Sequence, residues 1–517
     1  MRNSNGQSYR RDSRAPQTDP ISESEMWDLK SSTVRGGLSR LCAQGAALLL
    51  RVASLVVLAR LLKPSDFGLV GMVTAFTGVL TLLRDFGLSS AAIQWPSITP
   101  EQISTLFWIN MLVGALMSLA AVGMAPAIAH FYHQPSLFWM TSIVAMGFLF
   151  NAAGVQHAAL LQRRMRFTAL SVINIFSSAV GYVLAIAAAA AGFRYWALVT
   201  MPVATPLAAT IGFWLTSAWV PGMPRGSAEV RSMLRFGSIL TLNGLVAYIA
   251  FNAEKVMIGR VWGADAVGLY GRAFQLISIP TDGLNSAVGE VAFAALSRLQ
   301  RDPARLRSYF LKGFSLVLGL TMPITLMCAL FARDVVYVLL GPNWMGSIEI
   351  VRLLAPTIAI LAIINPLGWL MYSLGMVARG LKIALVFAPI IIAGYCIGLP
   401  YGPAGIAIAY STVMSLWVIP HVLWCVHGTD ISAQDILLAA IRPLASGILA
   451  GGVAYEIGLI CGPSLHPVVR LALESSALFV AFFGALLFIA GQRSLYVEVL
   501  SGLRATVKPA QVTIGAN

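Results

Sequence analysis

Apolar positions in this chain run in long unbroken blocks rather than at the three-or-four spacing of a helix with one wet face. Residues 105–129, 167–193, 195–224 and 383–429 contain no Asp, Glu, Lys or Arg at all. A bilayer crossing takes about 20 such residues. The last stretch is long enough for two crossings, split at the turn-forming GLPYGPAG of 398–405. The pattern predicts segments at 38–60, 67–90, 105–129, 138–161, 168–192, 195–219 and 236–260. It predicts a further set at 267–295, 312–332, 348–375, 381–399, 403–427, 436–460 and 467–491. The expected fold is therefore an all-α polytopic membrane protein with about 14 transmembrane helices.

Composition agrees. Of 517 residues, 58% are apolar and 11% charged, with a mean hydropathy of +0.78, whereas soluble domains carry about a quarter charged residues. The net charge of +14 has a plain source in basic loops that orient the chain, and no nucleic-acid partner is expected. Arginines cluster at 163–166, 225–235 and 298–307. With the N-terminus inside, the positive-inside tendency puts these clusters and both termini in the cytoplasm of a multi-pass protein. The five cysteines lack paired spacing and read as small core residues. His130 and His133 have no Cys or carboxylate beside them and are expected to form a rim, so no metal is expected.

A short pattern occurs twice. ARLLKPSDFGLVGM (59–72) and GRVWGADAVGLYGR (259–272) share Arg, Gly, Leu and Gly in the same slots. Extending that register from 31–72 onto 231–272 gives matches that include Arg35/Arg235, Gly37/Gly237, Arg60/Arg260, Gly68/Gly268 and Gly71/Gly271. Copies separated by six spans share one membrane orientation, so they form parallel repeats about an axis along the membrane normal. The expected organisation is a polar, disordered cytoplasmic tail (1–30), an N-terminal six-helix lobe (31–224), and a C-terminal six-helix lobe (225–430). Two additional helices (431–492) and a cytoplasmic tail (493–517) follow. The basic pieces 227–236 and 303–312 read equally well as surface-lying amphipathic helices or as charged loops.

In these residues the chain resembles the Wzx-type polysaccharide flippases, the polysaccharide-transport branch of the multidrug/oligosaccharidyl-lipid/polysaccharide exporter superfamily. The matching segments are 59–73, 85–102, NAEKVMIGRVWGADAVGLYGRAFQLISIP (252–280), 293–310 and LLGPNW (339–344). The resemblance implies a V-shaped pair of lobes in a bacterial inner membrane. It also implies movement of undecaprenyl-pyrophosphate-linked oligosaccharide repeat units from the cytoplasmic to the periplasmic leaflet. Such export would serve exopolysaccharide, capsule or lipopolysaccharide (O-antigen) synthesis. Membrane lipids, a polysaccharide polymerase and a chain-length regulator are the further partners it suggests. No cofactor is implied; a proton or sodium gradient is the candidate drive. Glu254 departs from the family's Asp but keeps the carboxylate.

Arg51 stands nine residues from Arg60, about 13 Å deeper at 1.5 Å per residue. A cation there needs a cavity or a partner. It either meets the substrate's pyrophosphate, which guanidinium can grip in bidentate fashion, or pairs with a carboxylate on a neighbouring helix. Arg272 is the second candidate for phosphate or anionic sugar, the plainer reading being a partner for Asp265 or the outer loop. Glu254, Lys255 and Glu290 are candidates for ion coupling or structural pairing, Glu254 with Arg51 among the options. Asn151, Gln156, His157 and Asn252 are candidate cavity polars, with bonding between neighbouring helices as the alternative.

A drug/cation antiporter is less favoured, because the N-terminal lobe has few acids; a lipid II flippase stays open, since that lipid also carries pyrophosphate. A membrane-embedded polymerase or ligase would need acid–base or metal groups on a sizeable surface loop. The chain has no such loop, and no enzymatic activity is expected.

Overall fold

The computed structural model describes residues 45–83, 99–223, 231–461 and 465–498; the side chains of 231–243, 286, 287 and 290 are outside that description. The tail 1–30, Arg225, residues 85–98 of the resemblance and the end of the 493–517 tail lie outside it as well. Among the described residues there are helices and no strands. Ten segments among the described residues have the length and composition of a crossing, one of which, Val377–Val426, joins two helices through a turn. Buried surface inside each segment is modest, 17–61% of the crossing window. Apolar side chains all round a helix are what a lipid-facing surface requires.

The first lobe comprises α1 (45–61), α2 (Pro64–Leu83), α3 (Pro100–Tyr132), α4 (Ser136–Arg163), α5 (Phe167–Ala190) and α6 (Tyr195–Ser217). Local chemistry sets their ends. Thr99 and Gln102 form a reciprocal capping box at the start of α3, with Pro100 in the first turn. Left-handed His133 ends the same helix.

The second lobe opens with α7 (Arg231–Arg298), whose 68 residues are broken at Gly263, φ 80°. Glycine takes that conformation without strain, and it turns the chain back at the point where the pattern predicted two spans. There follow α8 (Pro303–Leu330), α9 (Ala332–Leu339), α10 (Ile348–Leu354), α11 (Pro356–Ser373), α12 (Val377–Gly398) and α13 (Gly402–Val426). The basic piece 303–312 is neither a surface-lying helix nor a loop. It forms the opening turns of α8, capped by the Asp302 side chain, which accepts from the Arg305 N–H at 3.1 Å.

Finally α14 (Ala433–Cys461), α15 (Pro467–Gly484) and the short α16 (493–498) lean on the second lobe. Gly447 lets α14 approach α8 so closely that an added methyl would sit 3.0 Å from Met322. A bidentate Arg470–Asp334 pair ties α15 to α9, and Arg307 grips Asp435 at 2.5 and 2.9 Å at the other end.

The two lobes meet at the end away from the arginine clusters, and the repeat governs how. A methyl on Gly68 would overlap the Ala264 carbonyl, and a methyl on Gly268 would overlap the Pro64 carbonyl. Pro64 and Ala264 are themselves 200 positions apart, so one contact is made twice about the pseudo-twofold axis. Arginines do likewise: Arg60 donates across to the Val338 carbonyl at 2.8 Å, while Arg260 lies 5.7 Å over the Phe131 ring. Trp344 seals the seam, donating its indole N–H to the Ala59 carbonyl at 2.7 Å and packing edge-on against Phe67.

Candidate functional site

Two of the sequence-derived candidates come together on this axis from opposite lobes. Arg51, on α1, is partly exposed, and among the described residues no carboxylate forms an ion pair with it. Arg272, on the second arm of α7, is near enough for the two like charges to act on each other. Its guanidinium lies 3.7 Å over the centroid of Phe67, from α2, and donates to the Gln275 side chain. An opposite charge that interacts with Arg51 is Asp282, exposed on α7. Among the described residues no ion pair joins Arg272 to Asp265 or Arg51 to Glu254; the neighbouring carboxylate that interacts with Arg51 is Asp282.

Two partly exposed guanidiniums close enough to repel each other, with one exposed carboxylate on α7, leave excess positive charge. That arrangement favours an anion with several acceptor oxygens. Beside the pair, Gly271 carries no side chain, and the space where its Cβ would point holds no atom within 4 Å. Asp282 escaped the sequence reading, although a carboxylate two residues past Pro280 inside an apolar run was a visible signal.

Glu254 turns the other way, into the second lobe, and is 1% exposed. Neither carboxylate oxygen has a hydrogen-bond partner. Tyr270, Tyr395 and Tyr410, all buried, stand close enough to feel its charge. Tyr395 and Tyr410 are stacked with centroids 6.2 Å apart. Lys255 is an opposite charge that acts on it; a carboxylate buried this deeply is still costly as an anion, and a proton or a bound cation relieves that cost. The tyrosines were not foreseen, because single tyrosines in apolar spans look like ordinary core.

Lys255 and Asn252 satisfy one another at 2.7 Å, and Asn252 also donates to the Tyr248 carbonyl. Tyr248 in turn bonds the Thr74 carbonyl of the first lobe at 2.7 Å. Glu290 sits on α7, its side chain outside the described residues.

The remaining candidates stay inside the first lobe, apart from the arginines. His157 is fully buried, bonded through Nδ1 to the Ser217 hydroxyl at 2.8 Å and boxed by Phe107, Trp214 and Trp219. Gln156 accepts from Asn110 at 3.5 Å. Asn151 lines a cavity of about 360 Å³ between α4, α5 and α6, with its Oδ1 unpartnered. Among the described residues no cluster of three metal-ligating side chains occurs.

Comparison with known proteins agrees with this geometry. The family model described as "Polysaccharide biosynthesis protein" matches residues 57–349, more than half of the chain. The chain is 24% identical to the lipopolysaccharide biosynthesis protein WzxC of Escherichia coli (strain K12), over 91% of this chain and 96% of that protein. It is also 24% identical to the succinoglycan biosynthesis transport protein ExoT of Rhizobium meliloti (strain 1021), over 90% and 94%. In fold it resembles lipid II flippase MurJ in an inward closed conformation, with a TM-score of 0.67, 10% identity, and coverage of 88% and 100%. The lobed helical bundle, the repeated seam and these likenesses converge: the chain belongs to the polysaccharide biosynthesis protein family and is a multi-pass membrane transporter of the flippase type.

Proposed function

We propose that the protein is an inner-membrane flippase that moves undecaprenyl-pyrophosphate-linked oligosaccharide repeat units from the cytoplasmic to the periplasmic leaflet. The observation that supports this reading is that Arg51 and Arg272, one from each lobe, are near enough for their like charges to act on each other, and that among the described residues neither forms an ion pair with a carboxylate. A diphosphate offers two adjacent charged groups, and bidentate contacts from both lobes would relieve the repulsion between the arginines. The arginine clusters put their end, and both termini, in the cytoplasm; the glycine seam then closes the periplasmic side.

Transport follows as alternating access. Substrate enters between the lobes from the cytoplasmic leaflet, the Gly68–Ala264 and Gly268–Pro64 contacts part, and the headgroup is delivered outward. Glu254 is the coupling group. Its charge is relieved by a proton or sodium ion, so its occupancy changes how the second lobe packs. No bond in the substrate is made or broken.

Deletion of the gene tests this reading. We expect one surface or secreted polysaccharide to disappear while its lipid-linked unit accumulates, shielded from probes added outside. Normal polysaccharide in the deletion strain would refute the reading. Accumulation of the unit on the outer leaflet would point instead to a polymerase or ligase.

A further inference from the structure

The second lobe contains an open cavity of about 490 Å³, lined by both arms of α7 and by α11, α12 and α13. It lies in the half of the lobe nearer the arginine clusters, since it takes the later residues of α11 and α13 and the earlier ones of α12. One wall is a continuous aromatic surface. Phe251 packs 5.9 Å from Phe387, Phe387 packs 5.3 Å from Trp417, and Trp417 meets His421 edge-on. Facing it are two amides, Asn285 and Asn365. Trp369 donates its indole N–H to the Asn285 carbonyl at 2.9 Å, which leaves the Asn285 NH₂ to donate elsewhere. His421 is 8% exposed, lines the cavity, and its Nδ1 has no partner. Gly368 keeps the space open: a Cβ there would meet nothing within 4 Å.

Among the described residues, none that line it is charged, in contrast to the arginines on the lobe axis. The ligand for this chamber is therefore neutral. Hydrocarbon would leave two amides and an imidazole against an apolar tail, at a cost for each unpaired group. A pyranose ring matches both surfaces, with an apolar C–H face for the aromatic wall and hydroxyls for Asn285, Asn365 and His421. Position agrees too. Asp282, which feels the charge of Arg51, is three residues before Asn285 on the same helix, about 4.5 Å along its axis. A headgroup with its pyrophosphate at the arginines would reach the chamber with its first sugars.

We infer that this chamber is a binding subsite for an uncharged sugar of the lipid-linked unit, loaded before the lobes rearrange. The inference rests on the flippase reading. It is tested on full-length protein in nanodiscs with two probes: undecaprenyl pyrophosphate, and the same lipid bearing glucose, galactose or N-acetylglucosamine. We expect at least one sugar-bearing lipid to bind tenfold or more tightly than the sugar-free lipid. Gly368→Leu, which fills the chamber, and Asn365→Leu, which removes a polar contact at similar volume, should each erase that preference while sugar-free binding persists.

Equal affinities for all probes in the wild type would overturn the inference, as would a preference that survives both substitutions. Loss of sugar-free binding in Gly368→Leu but not in Asn365→Leu would assign the chamber to the isoprenoid tail. If neither kind of lipid binds the wild type, the flippase reading fails and the sugar subsite with it.

Discussion

The two lobes share a scaffold and differ in what they bury. In the first, the buried carboxylate is paired, Asp66 facing Arg194 at 3.7 Å and accepting from the Lys63 N–H. Several polar groups there bond neighbouring helices, His157 to Ser217 and Thr210 to the Phe150 carbonyl, while Asn151 Oδ1 and His157 Nε2 have no partner. In the second, the buried Glu254 carboxylate forms no ion pair among the described residues, although the charge of Lys255 acts on it, and the same lobe holds an aromatic chamber with free polar groups. Repeated sequence thus builds a symmetric hinge and seam, and departures from the repeat build the chemistry. The residue 200 positions before Glu254 is Ser54, which merely bonds the carbonyl of Arg51 at 2.9 Å. The residue 200 after Arg51 is Phe251, part of the aromatic wall. Each lobe therefore supplies what its counterpart lacks.

Breaking the contrast at its charged centre should have the largest effect. Removing both axis arginines (Arg51→Ala with Arg272→Ala) is expected to abolish transport in proteoliposomes. Each alone should cost about 30-fold or more, as loss of a desolvated charge-pair contact costs about 2 kcal/mol or more. The Lys variants should retain part of the activity, since charge survives without the fork. Full activity in both single Ala variants would remove them from the site.

The symmetric seam comes next. Gly68→Val and Gly268→Val each insert atoms where a carbonyl now sits. Overpacking of this kind costs about 1–3 kcal/mol, about tenfold for each site in the population of the closed seam. A cysteine at position 271, probed with an impermeant maleimide from the periplasmic side, should label faster in the double variant. Unchanged labelling would show that the seam is not the gate.

A smaller, more selective effect is expected at the orphan carboxylate. Glu254→Gln keeps the shape and removes the titration, so the protein should lose its response to an imposed proton or sodium gradient while still binding lipid. A response equal to that of the wild type would free Glu254 from coupling. Smallest of all is His157→Leu in the first lobe. Transport should stay within about twofold, and thermal stability should fall by about 1 kcal/mol for the lost hydrogen bond. A large transport defect there would erase the distinction between the lobes.

The fold was legible because its signals are long and redundant. Uncharged runs, arginine clusters and a gapless 200-residue register need no tertiary information. The pairing of Arg51 with Arg272 was half legible. Depth along each helix could be counted from the rise per residue, but which faces meet depends on packing across the axis. Glu254 shows the limit in the other direction. It lies next to Lys255, and spacing on a helix shows that the two diverge, but not which of them faces the lobe interior. The aromatic chamber could not have been read at all. Phe251, Trp369, Trp417 and His421 come from three separate helices, and in an apolar span each resembles any other packed ring. The basic piece 303–312 misled for a related reason, since amphipathic spacing looks the same on a surface helix and on the wet opening turns of a membrane helix.

The most direct test reconstitutes the purified protein in liposomes carrying undecaprenyl-linked sugar joined through either one phosphate or two, and follows arrival of the sugar at the opposite leaflet. The wild type should move the diphosphate lipid at least tenfold faster than the monophosphate, and the doubly substituted arginine variant should move neither. Equal rates for both lipids, unaffected by loss of Arg51 and Arg272, would contradict recognition of the headgroup by the paired guanidiniums.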